Sequence, residues 1–446
     1  MTTPDSYSLN FASAPGKPLA CIHGSAISVG EFRRDTERLI AQLVSEGDVL
    51  ISCAGRYAFS VGLLASWICN RTVVLPPNFR EDNLQDIRTR FDIAFECDGD
   101  WAQALAVNTN SQAHGSWELQ LPADMPAVKL FTSGSTGAPR AITKSVANLF
   151  TEANAIAAEF DWPAGPVVAS VPAQHLYGLT FSVLLPWVLG NAWVDDMPHY
   201  PRDVLHALQQ YESHTLISVP AQYQAMLEGR TDLDAIMCVS AAAPLPQSIA
   251  RQWQQCNGAG ILEIYGSTET GVVAHREQLS DISWQAFPQA SLSVEQDCLR
   301  VNSPFISDKF SNGFLTADRV VLQEQGHFEL LGRTDTIVKI AGKRVSLANI
   351  ETAINALPGV AEAAVIAVPA KGIVRDIAIW AAVVASGNHP LSPRQLLTAL
   401  RGKLDGIEVP RRILIVEQLP RTASGKLPHS ALTSLFDEHD AARVQL

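Results

Sequence analysis

The amino-acid sequence predicts an α/β protein. A large N-terminal domain of helix-covered sheets, with a small β-barrel-like region at its end, is followed by a small α+β C-terminal domain. Three observations support this fold class. Short apolar runs alternate with helix-length segments from residue 49 to residue 265, which is typical of buried strands in helix-covered sheets. Beyond about residue 290 short alternating strands separated by turn residues replace this pattern, and mixed helix and strand patterning returns from about residue 336.

The predicted elements follow in chain order. A surface helix is expected over 25–44, where apolar residues recur at helical spacing between charged ones. Strands at 49–53 and 72–75 enclose a helix at 57–69, as in a βαβ unit. Buried strands are then predicted at 128–131, 167–171, 215–219, 236–240 and 261–265. Short strands at 292–294, 299–301 and 328–331 form the barrel-like region. The last part contains helices at 347–356 and 393–404, strands at 363–368 and 377–384, and an apolar run at 413–416.

Composition narrows the class of protein. The chain has 446 residues, of which 47% are hydrophobic, and a net charge of −12, which argue for a globular protein and against nucleic acid as a partner. Seven scattered cysteines without a CxxC pair argue against structural zinc and predict free thiols in a reducing compartment. The N-terminus lacks a signal-peptide pattern, and no apolar run is long enough for a membrane span. We therefore expect a cytoplasmic protein.

The charge is unevenly distributed. Residues 336–446 carry 13 Lys plus Arg against 9 Asp plus Glu, a net charge of +4, which leaves −16 for the rest of the chain. A basic C-terminal domain on an acidic body suggests that this domain meets an anion, and a chance fluctuation is the alternative.

The first stretch that indicates chemistry is LFTSGSTGAPR, residues 130–140. A buried strand ends there in a loop of glycines and hydroxylated residues, whose backbone N–H groups and hydroxyls can approach phosphate oxygens closely, and Arg140 adds a positive charge. We interpret the loop as a phosphate cradle. Taken alone, such a loop is more often a flexible connector.

The second stretch is YGSTETG, residues 265–271, which also follows a buried strand. Glu269 is a candidate Mg²⁺ ligand, Thr268 a candidate donor to a phosphate, and Tyr265 offers its ring to a planar base. The alternative is an ordinary turn with a satisfied carboxylate.

Two further stretches lie toward the C-terminus. The third consists of TAD at 316–318 and GRTD at 332–335. Its Asp318 and Arg333 are candidates for binding ribose hydroxyls, although a surface ion pair is the default interpretation. The fourth, LPRTASGKL at 419–427, contains a Gly-Lys pair like that of a P-loop. It is not a P-loop, because the first glycine of that motif would fall on Pro420.

These four stretches, in this order and spacing, resemble the core motifs of the superfamily of AMP-forming adenylating enzymes. That superfamily includes acyl- and aryl-CoA synthetases, nonribosomal peptide adenylation domains and beetle luciferases, and the resemblance covers about residues 125–430. It implies a two-step reaction. A carboxylate attacks the α-phosphate of ATP to give acyl-adenylate and pyrophosphate, and a thiol then displaces AMP. The cofactors implied are ATP and Mg²⁺, with CoA or a phosphopantetheine group as acceptor.

The resemblance also implies roles for individual residues. The phosphate cradle would consist of Thr132, Ser133, Gly134, Ser135, Thr136 and Gly137, with Arg140. Thr268 would contact the α-phosphate, Glu269 would hold Mg²⁺, and Asp318 with Arg333 would bind the ribose. Tyr265 and the segment of residues 241–244, which includes Ala242, would flank the adenine, and Gly266 would belong to the same cofactor site. Lys426 would be the adenylation lysine, bridging the carboxylate and the α-phosphate.

A hinge is implied as well. Asp335 matches the position about which a mobile C-terminal domain rotates, replacing the Lys426 face by one that carries Gly342 and Arg344 near the thiol. The predicted domains are therefore residues 1–334, which bind ATP and the acid, and residues 335–446, which carry the lysine.

The acid pocket is indicated by PAQHLYG, residues 172–178. His175 matches the gate of the pocket in CoA ligases, although a lone histidine in an apolar stretch is usually a core residue. Tyr177 matches a pocket tyrosine of hydroxycinnamate-type ligases, while the same His-x-Tyr pattern occurs in fatty acyl ligases. No acidic residue follows the gate over 176–185, which argues against an amino-acid substrate.

The expected substrate is thus an aryl or hydroxyaryl acid, with a fatty acid as the alternative. The short chain also resembles the AMP ligases of aryl polyene and xanthomonadin-type pigment clusters, which load an acyl carrier protein. The acceptor is therefore CoA or an acyl carrier protein. A nucleotide-binding sensor without turnover is the alternative from another class, and the presence of Glu269 and Lys426 argues against it.

Three positions depart from the family pattern. Arg140 and Ala141 replace the usual Lys-Gly after the loop proline, Ala317 replaces the glycine before Asp318, and His429 stands where the last motif has arginine. None of these changes removes a group that the chemistry requires.

Overall fold

The chain forms two compact units. The computed structural model describes residues 4–12, 18–105, 116–132, 140–229, 237–334, 337–340, 343–369, 377–386, 392–422 and 427–444. The larger unit comprises Met1–Ser293, Arg300–Phe314 and Gln323–Phe328, and the smaller unit comprises Val294–Leu299, Leu315–Leu322 and Glu329–Leu446. Both units contain helices and strands, so the predicted α/β class is confirmed.

The first part of the larger unit contains a five-stranded sheet. Its elements are β1 (Ser6–Ala12), β2 (Ala20–Ile22), β3 (Ser25–Ile27), α1 (Val29–Ile40), β4 (Asp48–Ile51), α2 (Arg56–Ile68), β5 (Val73–Leu75), α3 (Glu81–Arg90), β6 (Ile93–Cys97), α4 (Gly99–Ala104), β7 (Ser116–Pro122), β8 (Pro126–Thr132), β9 (Arg140–Ser145) and α5 (Val146–Glu159). The sheet has the order β6-β4-β5-β8-β9. Its strands are parallel except β9, which pairs antiparallel with β8.

The second part of the larger unit builds a longer sheet. Its elements are β10 (Val167–Ala169), α6 (Leu176–Leu179), a π-helical turn (Thr180–Leu184), α7 (Leu185–Leu189), β11 (Trp193–Val194), α8 (Pro201–Gln210), β12 (Thr215–Ser218), α9 (Pro220–Glu228), β13 (Met237–Ser240), α10 (Gln247–Asn257), β14 (Ile261–Ser267), β15 (Gly271–Glu277) and β16 (Trp284–Ala286). Within this unit the order is β16-β15-β14-β13-β12-β10-β11-β2-β3. The strands from β14 to β2 are parallel.

The remaining elements include the predicted short strands. They are β17 (Ser291–Glu295), β18 (Cys298–Asn302), β19 (Phe314–Leu322) and β20 (His327–Arg333). The smaller unit continues with β21 (Ile337–Ile340), β22 (Lys343–Ser346), α11 (Leu347–Asn355), β23 (Val360–Pro369), β24 (Ile377–Ala385), α12 (Pro393–Arg401), β25 (Arg412–Val416) and α13 (His429–Val444). β23 and β24 pair antiparallel, and β24 and β25 pair parallel.

The first predicted helix is shorter than its apolar periodicity suggests. α1 begins at Val29 rather than at residue 25, because Ser28 caps it. The Ser28 side chain accepts a hydrogen bond from the backbone N–H of Glu31, and the Glu31 side chain accepts one from the backbone N–H of Ser28. Residues 25–27 form β3 instead.

Two predictions about the whole chain can be compared with the structure. All seven cysteines are unbridged, and five of them are buried, as expected of free thiols in a core. In the parts of the chain that the structure describes, no helix is both long and apolar enough to cross a membrane.

Candidate functional site

The two ends of the predicted phosphate cradle lie side by side. Thr132 ends β8, Arg140 begins β9, and the two residues are register partners in the antiparallel pair. Thr132 is half-buried and Arg140 is exposed. The loop residues between them, Ser133, Gly134, Ser135, Thr136 and Gly137, lie outside the described residues. The loop therefore connects two strands of the five-stranded sheet.

The second motif forms a hairpin turn between β14 and β15 that its own hydroxyl groups hold. The backbone N–H of Ser267 donates to Thr270 Oγ1 at 3.0 Å, and the backbone N–H of Thr270 donates to Ser267 Oγ at 3.2 Å. Thr270 Oγ1 also donates to the carbonyl of Gly271 at 2.8 Å. Side chains at the turn ends thus satisfy the local backbone groups, and Thr268 and Glu269 occupy the tip.

Glycines at both ends allow the hairpin to close. A Cβ atom on Gly266 would lie 2.2 Å from the carbonyl oxygen of Gly271, a distance that no side chain tolerates. Gly271 itself has a φ of +70°, in the left-handed region that favours glycine. The strands therefore approach more closely at this end than strands with side chains could.

Glu269 is the candidate metal ligand, and its surroundings fit Mg²⁺. Both Thr268 and Glu269 are half-buried at the tip of the turn. Among the described residues, no group of three or more His, Cys, Asp or Glu side chains could hold a metal ion by itself. Mg²⁺ in nucleotide sites is usually held by one or two carboxylates together with substrate phosphates. A single carboxylate on a fixed turn fits that arrangement.

The candidate adenine contacts lie at the ends of neighbouring parallel strands. The half-buried ring of Tyr265 packs against Trp284 and Phe328, with ring centroids 5.5 and 5.8 Å apart. Ala242 follows β13, is exposed, and has a φ of 71°. β13 and β14 are adjacent and parallel, so Ala242 and Tyr265 lie at the same edge of the sheet, where ligands bind in open α/β folds.

The candidate gate His175 begins a short, constrained helix. His175 is the N-cap residue of α6 and is half-buried. A Cβ atom on Gly178 would lie 2.0 Å from the carbonyl oxygen of Pro172, so this close turn requires glycine. The π-helical turn that follows is a rare element that is frequent at functional sites.

The hydroxyl group of Tyr177 is hydrogen-bonded to the protein backbone, so its ring is the part that could contact a ligand. Its hydroxyl lies 2.9 Å from the carbonyl oxygen of Ser218 and 3.0 Å from that of Val239. The hydroxyl proton is thus used by the ends of β12 and β13. Burial raises the pKa of the Tyr177 phenol well above its usual value, so the phenol stays neutral. The ring packs against Phe181 with a centroid distance of 5.2 Å.

Arg56 is a buried residue that the sequence did not single out. Its guanidinium donates to the carbonyls of Ala169 and Val171 and to Ser182 Oγ. It therefore ties the end of β10, which leads to His175, to the π-helical turn. Burial lowers the pKa of Arg56 to about 10, which leaves it charged at neutral pH. An arginine at the start of an apolar helix gave no signal of this role.

The candidate ribose residues pair within the smaller unit. Arg333 Nη1 lies 3.3 Å from Asp318 Oδ1, and the Asp318 side chain is only 15% exposed. Thr316 Oγ1 accepts a hydrogen bond from the backbone N–H of Asp318 at 3.1 Å. Ala317 lies within β19, where an extended backbone does not require glycine, so this departure from the family pattern causes no strain.

The remaining predicted residues are not described in full. Lys426, Asp335 and Gly342 lie outside the described residues, and Arg344 lies in β22 with only its backbone described. The lysine, the hinge and the thiol-side face therefore stay predictions.

The fold thus places several of the candidate residues at the carboxyl ends of neighbouring strands, where open α/β sheets bind ligands. The model of the AMP-binding enzyme family matches residues 12–295, and that of the AMP-binding enzyme C-terminal domain matches residues 349–426. The first match covers more than half of the chain, so the chain belongs to the AMP-binding enzyme family.

Curated relatives are CoA ligases. A probable CoA ligase of Humulus lupulus is 24% identical in an alignment that covers 74% of this chain and 64% of the relative. A mitochondrial acyl-coenzyme A synthetase of Rattus norvegicus is 26% identical over 68% of this chain and 60% of its own. An anthranilate–CoA ligase of Pseudomonas aeruginosa is 28% identical over 69% of this chain and 66% of its own. The matches thus span 60 to 66% of these relatives' lengths.

Solved structures share the fold. ATP-bound MatB from Rhodopseudomonas palustris has a TM-score of 0.74 at 22% identity, over 95% of this chain and 97% of that one. The o-succinylbenzoate CoA synthetase of Bacillus subtilis, in complex with an acyl-adenylate, has a TM-score of 0.76 at 19% identity, over 94% of this chain and 96% of that one.

Proposed function

We propose that the chain activates a carboxylic acid with ATP and transfers the acyl group to a thiol. A carboxylate oxygen attacks the α-phosphorus, the bond to the β-phosphate breaks, and pyrophosphate leaves. A thiolate then attacks the acyl carbon, and AMP leaves. The observation that carries this proposal is the turn Ser267–Thr270, which two reciprocal hydrogen bonds between Ser267 and Thr270 close and which has Thr268 and Glu269 at its tip. A turn fixed in advance supplies the orientation that the reaction of two anions requires.

The phosphates of ATP are assigned to the larger unit. The loop between Thr132 and Arg140 would receive the β- and γ-phosphates through backbone N–H groups, hydroxyls and the Arg140 charge. Thr268 would donate to the α-phosphate. Glu269 would hold Mg²⁺, which when bound offsets negative charge on the phosphates.

The adenine and the ribose of the nucleoside are assigned to two separate sets of residues. Tyr265 and the segment of residues 241–244, which includes Ala242, would flank the adenine, since flat aromatic and small residues admit a planar base. Asp318 would accept hydrogen bonds from the ribose hydroxyls, with Arg333 orienting the Asp318 carboxylate. This role is compatible with the ion pair, since a carboxylate has acceptor capacity for more than one donor.

The lysine and the hinge belong to the C-terminal part of the chain. Lys426 would place its ammonium between the carboxylate and the α-phosphate as negative charge gathers there. Residues 335–446 would then rotate about Asp335, withdrawing Lys426 and bringing Gly342 and Arg344 toward the thiol. The net charge of +4 on residues 336–446 suits both the first step, with ATP and a carboxylate, and the second step, with an anionic thiol carrier.

The acid is proposed to be an aryl or hydroxyaryl acid. The ring of Tyr177 offers an aromatic wall, since its hydroxyl proton is used by backbone carbonyls. The similarity to an anthranilate–CoA ligase, which acts on an aromatic acid, supports this class. His175 would gate the pocket from the start of α6.

The acceptor is proposed to be the phosphopantetheine thiol of CoA or of an acyl carrier protein. The curated relatives are named for CoA. The basic charge of residues 336–446 also suits an acidic carrier protein. Steady-state thioester formation with CoA and with holo carrier protein, compared at equal acyl-adenylate, decides between the two.

Acid-dependent pyrophosphate release tests the proposal. The purified chain is incubated with ATP, Mg²⁺ and a panel of aryl and fatty acids, and pyrophosphate and hydroxamate are measured. We expect release with aryl acids and hydroxamate in equal amount when hydroxylamine replaces the thiol. ATP binding without pyrophosphate release from any acid would contradict the ligase function and favour a nucleotide sensor. Release with fatty acids alone would contradict the proposed substrate class.

A further inference from the structure

A lysine of β9 is fully buried in the larger unit. Lys144 has 0% exposed surface, and burying an ammonium group is costly unless hydrogen bonds and opposite charge compensate. Its Nζ donates to the backbone carbonyl of Phe305 and, at 3.2 Å, to that of Glu269. The carboxylate of Glu152 on α5 attracts it. The lysine thus holds the turn that carries the candidate metal ligand.

Helix α5 also forms hydrogen bonds to the segment around residue 305 and to the beginning of β15. Asn148 Nδ2 donates to the carbonyls of Pro304 and Ile306, at 2.9 and 3.0 Å. One turn further along the helix, Glu152 Oε1 accepts from the backbone N–H of Val272 at 3.0 Å. Residues four apart lie on one face of a helix. A single helix face therefore fixes both the segment around residue 305 and the beginning of β15.

Gly271 closes the contact between the turn and this buried pair. A Cβ atom there would lie 2.8 Å from Cβ of Phe305 and 3.0 Å from Oε2 of Glu152. The backbone of the turn end therefore packs directly on the Glu152 carboxylate and on the segment that Lys144 binds. Because these contacts are direct, a displacement of Lys144 or Glu152 would move the backbone of the turn.

Burial shifts the pKa of both Lys144 and Glu152 toward their uncharged forms, and their neighbours oppose these shifts. Burial lowers the pKa of Lys144 to about 8, and the carboxylates of Glu152 and Glu269 counteract this change. Burial raises the pKa of Glu152 to about 7, and Lys144 and the N–H of Val272 counteract that change. The geometry around the pair therefore combines opposite charge with hydrogen bonds to the turn and to the segment around residue 305.

We propose that Lys144 is a positioning residue that fixes the Glu269 turn through its backbone, so that the Glu269 carboxylate meets the Mg²⁺ of bound ATP. The inference rests on the proposed function, since it takes Glu269 as the metal ligand. Arg140 and Lys144 lie four residues apart in β9, and alternation along a strand puts them on the same face. The strand that ends the phosphate loop therefore also holds the metal-binding turn.

Substitution of the lysine tests this role. Lys144→Met keeps the length of the side chain and removes the ammonium. We expect the Mg²⁺ concentration for half-maximal ATP binding to rise about 10-fold or more, as is typical when a group supporting a metal ligand is lost. We also expect kcat of acid-dependent pyrophosphate release to fall by about 10-fold or more, while KM for the acid stays unchanged. ATP binding is followed by calorimetry at several Mg²⁺ concentrations.

Two further variants complete the experiment. Lys129→Met is the matched control, because Lys129 lies in the neighbouring strand β8, opposite Thr143, and pairs with Asp48. We expect it to leave the Mg²⁺ requirement unchanged. Glu152→Gln keeps an acceptor for the N–H of Val272 and removes the charge that attracts Lys144. We expect it to raise the Mg²⁺ requirement in the same direction as Lys144→Met.

Each outcome decides the role of Lys144. An unchanged Mg²⁺ requirement in folded Lys144→Met overturns the inference, and so does an equal rise in Lys144→Met and Lys129→Met, which would reflect stability alone. If Lys144→Met does not fold, an unchanged requirement in Glu152→Gln overturns it. A wild-type chain that releases no pyrophosphate with any acid contradicts the proposed function instead, and the Mg²⁺ dependence of ATP binding still decides the role of Lys144.

Discussion

Ala242 stores backbone strain directly after a buried strand. Its φ of 71° lies in the left-handed region, which costs an L-residue about 1–2 kcal/mol. Such strain persists only where the surrounding structure enforces it, and it is frequent at ligand sites. The position of Ala242 at the edge where Tyr265 also lies therefore supports the proposed adenine contact.

Substitutions at Ala242 should separate strain from side-chain size. Ala242→Val adds β-branching to a left-handed residue and should lower the free energy of unfolding by about 1–2 kcal/mol. Ala242→Gly relieves the strain but adds chain entropy to the unfolded state, so its net effect should stay within about 1 kcal/mol. Urea unfolding measures both. Ala243→Val is the control, because the φ of the half-buried Ala243 is not positive. An equal loss in Ala243→Val would contradict the strain argument.

At the scale of elements, the strands whose position depends on local pattern were predicted well. The apolar runs at 128–131, 215–219 and 261–265 correspond to β8, β12 and β14, because strands buried on both faces are apolar throughout. The antiparallel return strands β9 and β15 were not predicted. Their formation depends on tertiary contacts, namely the close approach at Gly266 and the buried hydrogen bonds of Lys144.

The candidate site shows the same division. The hydroxyl and acidic residues of 267–270 could be recognised from the sequence, because their chemistry follows from residue type. Lys144 and Arg56 could not, since a polar residue in a strand or at a helix start usually faces solvent. Their role depends on carbonyl groups far away along the chain, at Phe305 and Val171 for example, which no local pattern indicates.

The turn Ser267–Thr270 gives an element-scale prediction. Thr270→Val keeps the shape of a side chain that is only 1% exposed and removes the oxygen that accepts from Ser267. The hydrogen bond is only partly buried, and losing one hydrogen bond costs about 0.5–1.5 kcal/mol, so the free energy of unfolding should fall by that amount. The affinity for ATP with Mg²⁺ should fall as well, because the tip loses its support. Thr89→Val is the control, because Thr89 is exposed on α3 and its hydroxyl donates within the helix to the carbonyl of Gln85; it should change neither the free energy of unfolding nor the affinity for ATP.

The smaller unit contains an element whose stability depends on pH. Glu351 of α11 accepts from the backbone N–H of Val365 at 2.8 Å. Burial raises the pKa of Glu351 to about 7, Glu362 raises it further, and Arg421 lowers it. Because the folded-state pKa lies above the unfolded value of about 4.3, this residue favours folding at low pH. That contribution is lost as the pH rises through about 7.

Glu351→Gln should therefore flatten the pH dependence. In the wild-type chain, Glu351 should make β23 less stable at pH 8 than at pH 4.5, by about 1–3 kcal/mol after allowing for its partial exposure. The variant keeps the acceptor for Val365 and should lose most of this difference. Amide hydrogen exchange of β23 at pH 4.5 and at pH 8, corrected for the intrinsic exchange rates, measures this difference in stability. Glu417→Gln, at an exposed residue of the same unit, should retain the wild-type difference, and retention by Glu351→Gln would refute the assignment.

At the scale of the whole molecule, the charge and the family matches divide the chain in a similar way. The net charge of −12 consists of −16 before residue 336 and +4 after it. The two family models match residues 12–295 and 349–426 separately. The proposed division of labour places the nucleotide contacts mostly in the acidic part and the adenylation lysine in the basic part. A basic part that meets ATP, a carboxylate and an anionic thiol carrier lowers the repulsion among them.

Lys426→Ala tests this division, because the two half-reactions should respond differently. The lysine is assigned to the attack of the carboxylate on the α-phosphate alone, so adenylation should fall by at least about 10²–10³, the loss typical of one preorganised donor. Thioester formation from supplied acyl-adenylate should largely survive, since the proposed thiol step does not use Lys426. Single-turnover assays of each half-reaction measure both rates. Lys403→Ala, at an exposed lysine of the same unit, should change neither rate. Equal losses in both half-reactions for Lys426→Ala would mean that the lysine acts through folding or nucleotide binding, and not in the adenylation step.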